Sequence, residues 1–234
     1  MDRSLIFAAS LFMFLPMAAG AQTALVPASA IDAADMLPAA PKDGSDIQKA
    51  DLAELHLIQD HRTAADIARA QSDAATRNIF LFATIFGPGF NAKALPLTAA
   101  LSADVEAAEK ADVEPVKYVF ARVRPYHFDK TLHPVCPATK KDDSYPSGHA
   151  MSGYLEALTL ASILPEKKDA IFARADDYAH DRLVCGVHYP SDVAAARPLA
   201  YALFALLADD PRFKAARAAA QTELRKKLGL QANK

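Results

Sequence analysis

Apolar residues recur along this chain at helical intervals and nowhere in a sustained strict alternation. From Ser45 to Asn78 the pattern is helical, carried by Leu52, Leu55 and Ile58 and then by Ala65, Ile67 and Ala68. Gly87-Pro88-Gly89 interrupts it. Leu97 to Val113 is a second helical stretch, with Leu101, Val105, Ala108 and Ala111 on its apolar side. Pro115 suits the first turn of a third helix, which Pro125 then stops. Residues 126–146 hold Pro134, Cys136 and Pro137 and read as a long loop, a length that is uncommon unless the loop has a function. Ser147 to Leu164 is helical up to Pro165. Glu166 to Tyr178 follows, with Lys167, Lys168 and Asp169 suited to a solvated face. Ser191 is expected to cap the next helix, with Asp192 in its first turn. Pro198 should kink or restart that helix, and Leu199, Leu203 and Leu206 should face the core. Asp210-Pro211 opens a last amphipathic helix that Gly229 ends. The pattern predicts an all-α protein without internal repeats.

The N-terminus reads as an export signal, with an uncleaved membrane anchor as the alternative. Arg3 precedes an apolar stretch from Leu5 to Ala18, and Ala19-Gly20-Ala21 is a small-x-small cleavage site. The expected layout is a signal peptide over residues 1–21, an arm with little regular structure over 22–44, and a helical domain over 45–234. The expected location is periplasmic or secreted. Asn78 to Phe90 is the next most apolar segment, but its 13 residues include Pro88 and are too few to span a bilayer. No membrane association is therefore expected after signal cleavage. In an oxidising compartment Cys136 and Cys185 are expected to pair. Closing that loop would contribute about 4 kcal/mol in the chain-entropy picture.

Composition narrows the classes. Of 234 residues, 52% are hydrophobic and 23% charged, with a net charge of −2. That content excludes a disordered chain. The lack of a basic excess argues against a nucleic-acid partner. Alanine supplies more than a fifth of the residues against 8 glycines, which favours helices. An alanine-rich helical surface also suits a homo-oligomer.

Three clusters carry chemistry. Lys117 and Arg124-Pro125 are seven residues apart, two turns on one helix, which would put both cations on one face. Two neighbouring cations call for an anion between them, although a solvated basic face has the same pattern. Pro146-Ser147-Gly148-His149 lies where a loop becomes a helix. Free N–H groups, a positive dipole end and a close glycine backbone suit a phosphate there, as they also suit ordinary capping. Arg182, His188 and Asp192 form the third cluster. Arg182 offers a fork of donors, and Asp192 can fix the tautomer of His188 so that its other nitrogen is nucleophilic. A surface salt bridge beside a loop histidine would leave the same residues. A zinc or manganese site from His180, Asp181, His188 and Asp192 is a further alternative, but it leaves the other two clusters without a role.

Taken in order, Lys-x6-Arg-Pro, Pro-Ser-Gly-His and Arg-x5-His-x3-Asp resemble the motifs of the type 2 phosphatidic acid phosphatase superfamily, which includes vanadium haloperoxidases. Within it the chain is similar to the bacterial class A non-specific acid phosphatases, over residues 45–225. Asp142 to His149, Arg182 to Gly186 and Glu54-Leu55-His56 support the likeness, while Asp181 stands where the family usually has Ser or Ala.

The resemblance implies a single-domain helical bundle and a metal-independent acid phosphatase acting on small phosphomonoesters, without a cofactor. Lys117, Arg124, Arg182, Ser147 and the Gly148 N–H would hold the phosphate. His188 would attack phosphorus to form a phosphohistidine, Asp192 would orient it, and His149 would serve as acid and then base. Transfer of the phosphoryl group to another acceptor would be a side reaction. A vanadium-dependent haloperoxidase, a lipid phosphatase and a catalytically inactive phosphate-ester binding protein are the competing readings. His56, His61, His127 and His133 are expected outside the chemistry, and Tyr145 either beside the substrate or in the core.

Overall fold

A computed structural model describes Leu25 and residues 31–230. The export signal lies outside the described residues, as does most of the arm before Ile31. Helices α1 (Ala33–Met36), α2 (Asp46–His61) and α3 (Ala64–Ala74) come first. One 3-10 turn over Ile79–Phe82 leads into α4 (Ala83–Phe86). The remaining α-helices are α5 (Pro96–Phe120), α6 (Pro125–Phe128), α7 (Gly148–Ile163), α8 (Lys168–Val184), α9 (Pro190–Asp209) and α10 (Pro211–Lys227). No strand occurs among the described residues. The arm differs slightly from expectation, since Asp32 caps the single turn α1.

Helix α7 is the centre of the bundle. Twelve of its 16 residues are buried, so nearly every side of it faces protein, and its buried polar residues Ser152, Glu156 and Thr159 are exceptions to a mainly apolar surface. Helices α5, α8, α9 and α10 pack around it, with α3 on α8 and α2 across α8 and α9. Gly153 makes the α7–α8 contact close, since a Cβ there would lie 2.5 Å from the Tyr178 ring. The stretch from Ser45 to Asn78 is two helices rather than one, because Thr63 and Asp66 form a capping box that starts α3.

Pro115 does not open a new helix, and Pro198 does not restart one. Helix α5 continues through Pro115 and α9 through Pro198. Both prolines lie on solvent-exposed sides, whereas Val113, Val116, Leu199 and Ala200 are buried. An orphaned carbonyl on a wet face can bond water, and packing on the other face holds the helix together. The start of α5 is completed by α10, where the Glu223 carboxylate accepts from the N–H groups of Leu97 and Thr98 at 3.0 and 2.9 Å. Helix α8 runs past Tyr178 to Val184. Helix α9 starts at Pro190 rather than after Ser191, because the Asp192 carboxylate accepts from the Tyr189 N–H at 2.9 Å. Leu199, Leu203 and Leu207 face the core of α9, while Leu206 is exposed, following the steps of four.

Helix α9, rather than residues 78–90, is the one helix among the described residues long and apolar enough to cross a bilayer by length and composition. In this fold one side of it packs on α7, and it carries the buried Asp192. Cys136 and Cys185 are joined in a disulfide with their Cα atoms 5.1 Å apart. The bond ties the turn after α8 to the loop between α6 and α7.

Candidate active site

Helix α5 ends at Ala121, a non-glycine residue in the left-handed region with φ of 42°. That turn redirects the chain. Lys117 therefore sits in the last turn of α5, while Arg124 lies beyond the helix, as the residue before α6. The two cations are not on one helical face, contrary to expectation, yet they converge. Lys117 Nζ donates to the Asp143 carbonyl at 2.7 Å, and Arg124 Nε donates to the Asp143 carboxylate at 2.8 Å.

The helix start at Pro146-Ser147-Gly148-His149 is also brought here. Ser147 caps α7 with its side chain, accepting from the Ala150 N–H, and its own N–H donates to the Asp192 carbonyl at 3.0 Å. A Cβ on Gly148 would lie 3.6 Å from Lys117 Cε, so this residue faces the lysine stem. Arg182, in the last turn of α8, is buried, and its Nε has no hydrogen-bond partner. Burial brings its guanidinium down to about 10. Burial, then the Arg124 charge, lowers Lys117 to about 8.

The two histidines have assigned faces. His188 Nδ1 lies 3.3 Å from an Asp192 oxygen, so it carries the proton. Its Nε2 is bare and receives Arg124 Nη1 at 3.2 Å. Burial holds His188 far below the usual imidazole value, reinforced by Arg124, Lys117 and Arg182. His149 Nε2 lies 3.3 Å from the Ala74 carbonyl, which can only accept, leaving Nδ1 as the basic nitrogen. Burial and then Arg182, Arg77 and Lys117 push His149 down to about 2.

Asp192 is the most connected group of the site. It accepts from Arg122 at 2.6 Å, from Ser144 Oγ at 2.6 Å and from the Tyr189 N–H. Arg122 also bonds Asp51 of α2 at 2.9 Å and stacks on Tyr189 at 3.9 Å. Burial raises Asp192, and Arg122 is the first force opposing that rise.

Several of these residues were missed from sequence. Arg122 stands two places before Arg124, and Asp143 and Ser144 lie within the Asp142-to-His149 segment, but nothing local gave them roles. Arg77 and Glu109 form another omission. Their ion pair, at 2.7 Å, lies against Gly148, with Arg77 also donating to Ser152.

The other expectations resolve simply. Asp181 is buried and held by Arg69 of α3 at 2.9 Å, so it clasps α3 to α8 beside Arg182. His180 is exposed. No group of three or more His, Cys, Asp or Glu side chains could hold a metal ion among the described residues. Tyr145 is a core residue, edge-on to Phe120 and donating to the Pro38 carbonyl. His56 pairs with Asp129 and His127 with Asp142.

The helical scaffold gathers three cations, a helix N-terminus and a carboxylate-held histidine at one place. Residues 93–214 match the PAP2 superfamily. A non-specific acid phosphatase of Providencia stuartii is 31% identical over 196 residues, 79% of this chain and 77% of that one. The Salmonella typhimurium non-specific acid phosphatase is 31% identical over 70% of this chain and 67% of its own. An acid phosphatase of Zymomonas mobilis is 34% identical over 62% of this chain and 56% of its own. The crystal structure of a transmembrane PAP2-type phosphatidylglycerolphosphate phosphatase from Bacillus subtilis shares the fold, with a TM-score of 0.50 and 19% identity. That match covers 74% of this chain and 88% of that one. The chain belongs to the PAP2 superfamily.

Proposed function

We propose that this protein is an acid phosphatase that hydrolyses small phosphomonoesters without a metal ion, through a phosphohistidine on His188. The observation that carries the reading is the meeting of Arg124 Nη1 with His188 Nε2, on an imidazole whose other nitrogen faces Asp192. An anion drawn to the arginine arrives beside a bare, neutral nitrogen. The acid phosphatase names of the relatives agree with it.

The roles follow from the chemistry. Lys117, Arg124 and Arg182, with the start of α7, neutralise the equatorial oxygens as charge develops on them. His188 Nε2 forms the P–N bond in line while the ester P–O bond breaks. His149 donates its proton to the leaving oxygen, giving the alcohol. It then takes a proton from the attacking water, whose oxygen bonds phosphorus as the P–N bond breaks and phosphate leaves. Asp192 stabilises the positive charge that His188 carries in the intermediate. An alcohol in place of water gives a phosphotransferase side reaction. Three fixed cations supply the charge that a metal would supply in other phosphatases, which is the reason for the metal-independence. A periplasmic or secreted location fits the N-terminal pattern and the disulfide.

The test is p-nitrophenyl phosphate hydrolysis by the purified protein at mildly acidic pH in excess EDTA. An acid-labile, alkali-stable phosphoenzyme should be trapped in the wild type. His188→Ala should lose both. Full activity in that variant, or activity that EDTA abolishes, would overturn the reading.

A further inference from the structure

All three side-chain nitrogens of Arg124 are engaged. Nε donates to Asp143 Oδ1, and Nη2 lies 2.8 Å from the same oxygen and 3.4 Å from the Asp143 carbonyl. Nη1 donates to the Val187 carbonyl at 2.8 Å and to His188 Nε2. Lys117 Nζ is on the Asp143 carbonyl as well. One residue therefore covers the Nε/Nη2 fork of Arg124 and a donor of Lys117 together.

A phosphate reaching Arg124 must displace a partner. Val187 and His188 cannot leave without moving the turn that carries the nucleophile. Asp143 can. Ser144, the next residue, is fixed by Asp192 through its hydroxyl and by the Arg122 carbonyl through its N–H. Thr139 is fixed on the other side, bonded twice to the Tyr126 hydroxyl at 2.9 Å. Lys140, Lys141 and Asp142 between these anchors are exposed. Asp143 thus sits on a short segment pinned at both ends and free in the middle.

We propose that Asp143 is an internal anion that exchanges with phosphate on Arg124 and Lys117 in every catalytic cycle. It yields the fork to the substrate and returns to it as the product leaves. The inference rests on the phosphatase reading. Phosphate wins the exchange because it carries more charge and engages Arg182 and the start of α7 in addition, which the Asp143 carboxylate does not. The returning carboxylate weakens product inhibition and speeds release, at the cost of a higher KM.

The sign of one mutation decides the matter. Asp143→Asn keeps the size and removes the charge. If Asp143 competes, this variant binds inorganic phosphate about tenfold more tightly, measured by calorimetry and by product inhibition. KM should fall by a similar factor, and kcat should fall where release limits turnover. Asp143→Ala should move the same way, which guards against a residual amide contact. If Asp143 instead only braces Arg124, both variants bind phosphate more weakly and KM rises. Unchanged or weaker phosphate binding in a wild-type-active background overturns the exchange alone. A wild type that neither binds phosphate nor hydrolyses p-nitrophenyl phosphate overturns the phosphatase reading and the exchange with it.

Discussion

Arg122 donates to Asp192 at 2.6 Å with both side chains closed off from solvent. The pair lies directly behind His188. Asp51 extends it to α2, so three elements of the bundle meet on one guanidinium. Arg122→Gln should leave two buried carboxylates without their cation and lower stability by about 3–5 kcal/mol. Asp192 would rise further toward its neutral form and cease to support the charge on His188, so kcat should fall more than tenfold. Arg122→Lys should recover part of the stability but little of the rate, because an ammonium lacks the fork. Thermal unfolding and p-nitrophenyl phosphate kinetics on the two variants measure this. Near-wild-type stability in Arg122→Gln would count against it.

Glu109 offers a pH-dependent test. Burial raises its carboxyl from the ordinary 4.5 to about 7, against the pull of Arg77. Between those values the folded protein holds a proton that the unfolded chain has lost. The corresponding stabilisation is full below 4.5 and is lost as pH rises through 7, at about 1.4 kcal/mol per pH unit. Glu109→Gln fixes the neutral form. Its stability relative to the wild type should therefore improve steadily from pH 5 to pH 7, as followed by urea unfolding. A pH-independent difference would refute the raised value.

His149 should change its protonation on anion binding. Burial and the neighbouring cations hold it near 2, far too low for an acid at working pH. A bound oxyanion reverses the field of Arg182 and Lys117. Imidazole NMR should show His149 neutral down to pH 5 without ligand and protonated near pH 6 with saturating sulfate, which itself has no proton to give there. Titration close to 6.5 without sulfate would remove this account.

Gly153 is required by packing rather than by backbone conformation. A methyl group there meets the buried Tyr178 ring at 2.5 Å, and Tyr178 is fixed by its hydroxyl on the Thr76 carbonyl. Gly153→Ala should cost about 1–3 kcal/mol by overpacking, despite the better helix propensity of alanine. A melting temperature at or above the wild type would contradict this.

The helices and the three motif clusters were legible because each rests on local information: apolar spacing, capping residues and short signatures. Lys117 and Arg124 show the limit. Their convergence was expected, but by the wrong route, since the helix ends between them at Ala121. Pro115 misled for a related reason. A proline stops a helix unless the opposite face is held by packing, and that face is visible only in three dimensions. Arg122, Asp51, Arg77 and Glu109 were silent because their roles come entirely from distant partners. Asp192 gained its distant neighbours from the segment after α5 and from the loop before α7, and no spacing rule announces such a meeting.

Between Arg182 and His188 the chain makes the turn that contains Cys185, and across the disulfide lies the strand of loop that leads on to Asp143. One covalent link therefore ties the turn between Arg182 and His188 to the loop that bears Asp143. With the two thiols reduced that covalent brace is absent, and the placement of the two segments falls to single hydrogen bonds such as the one from the Val135 N–H to the Cys185 carbonyl at 3.0 Å.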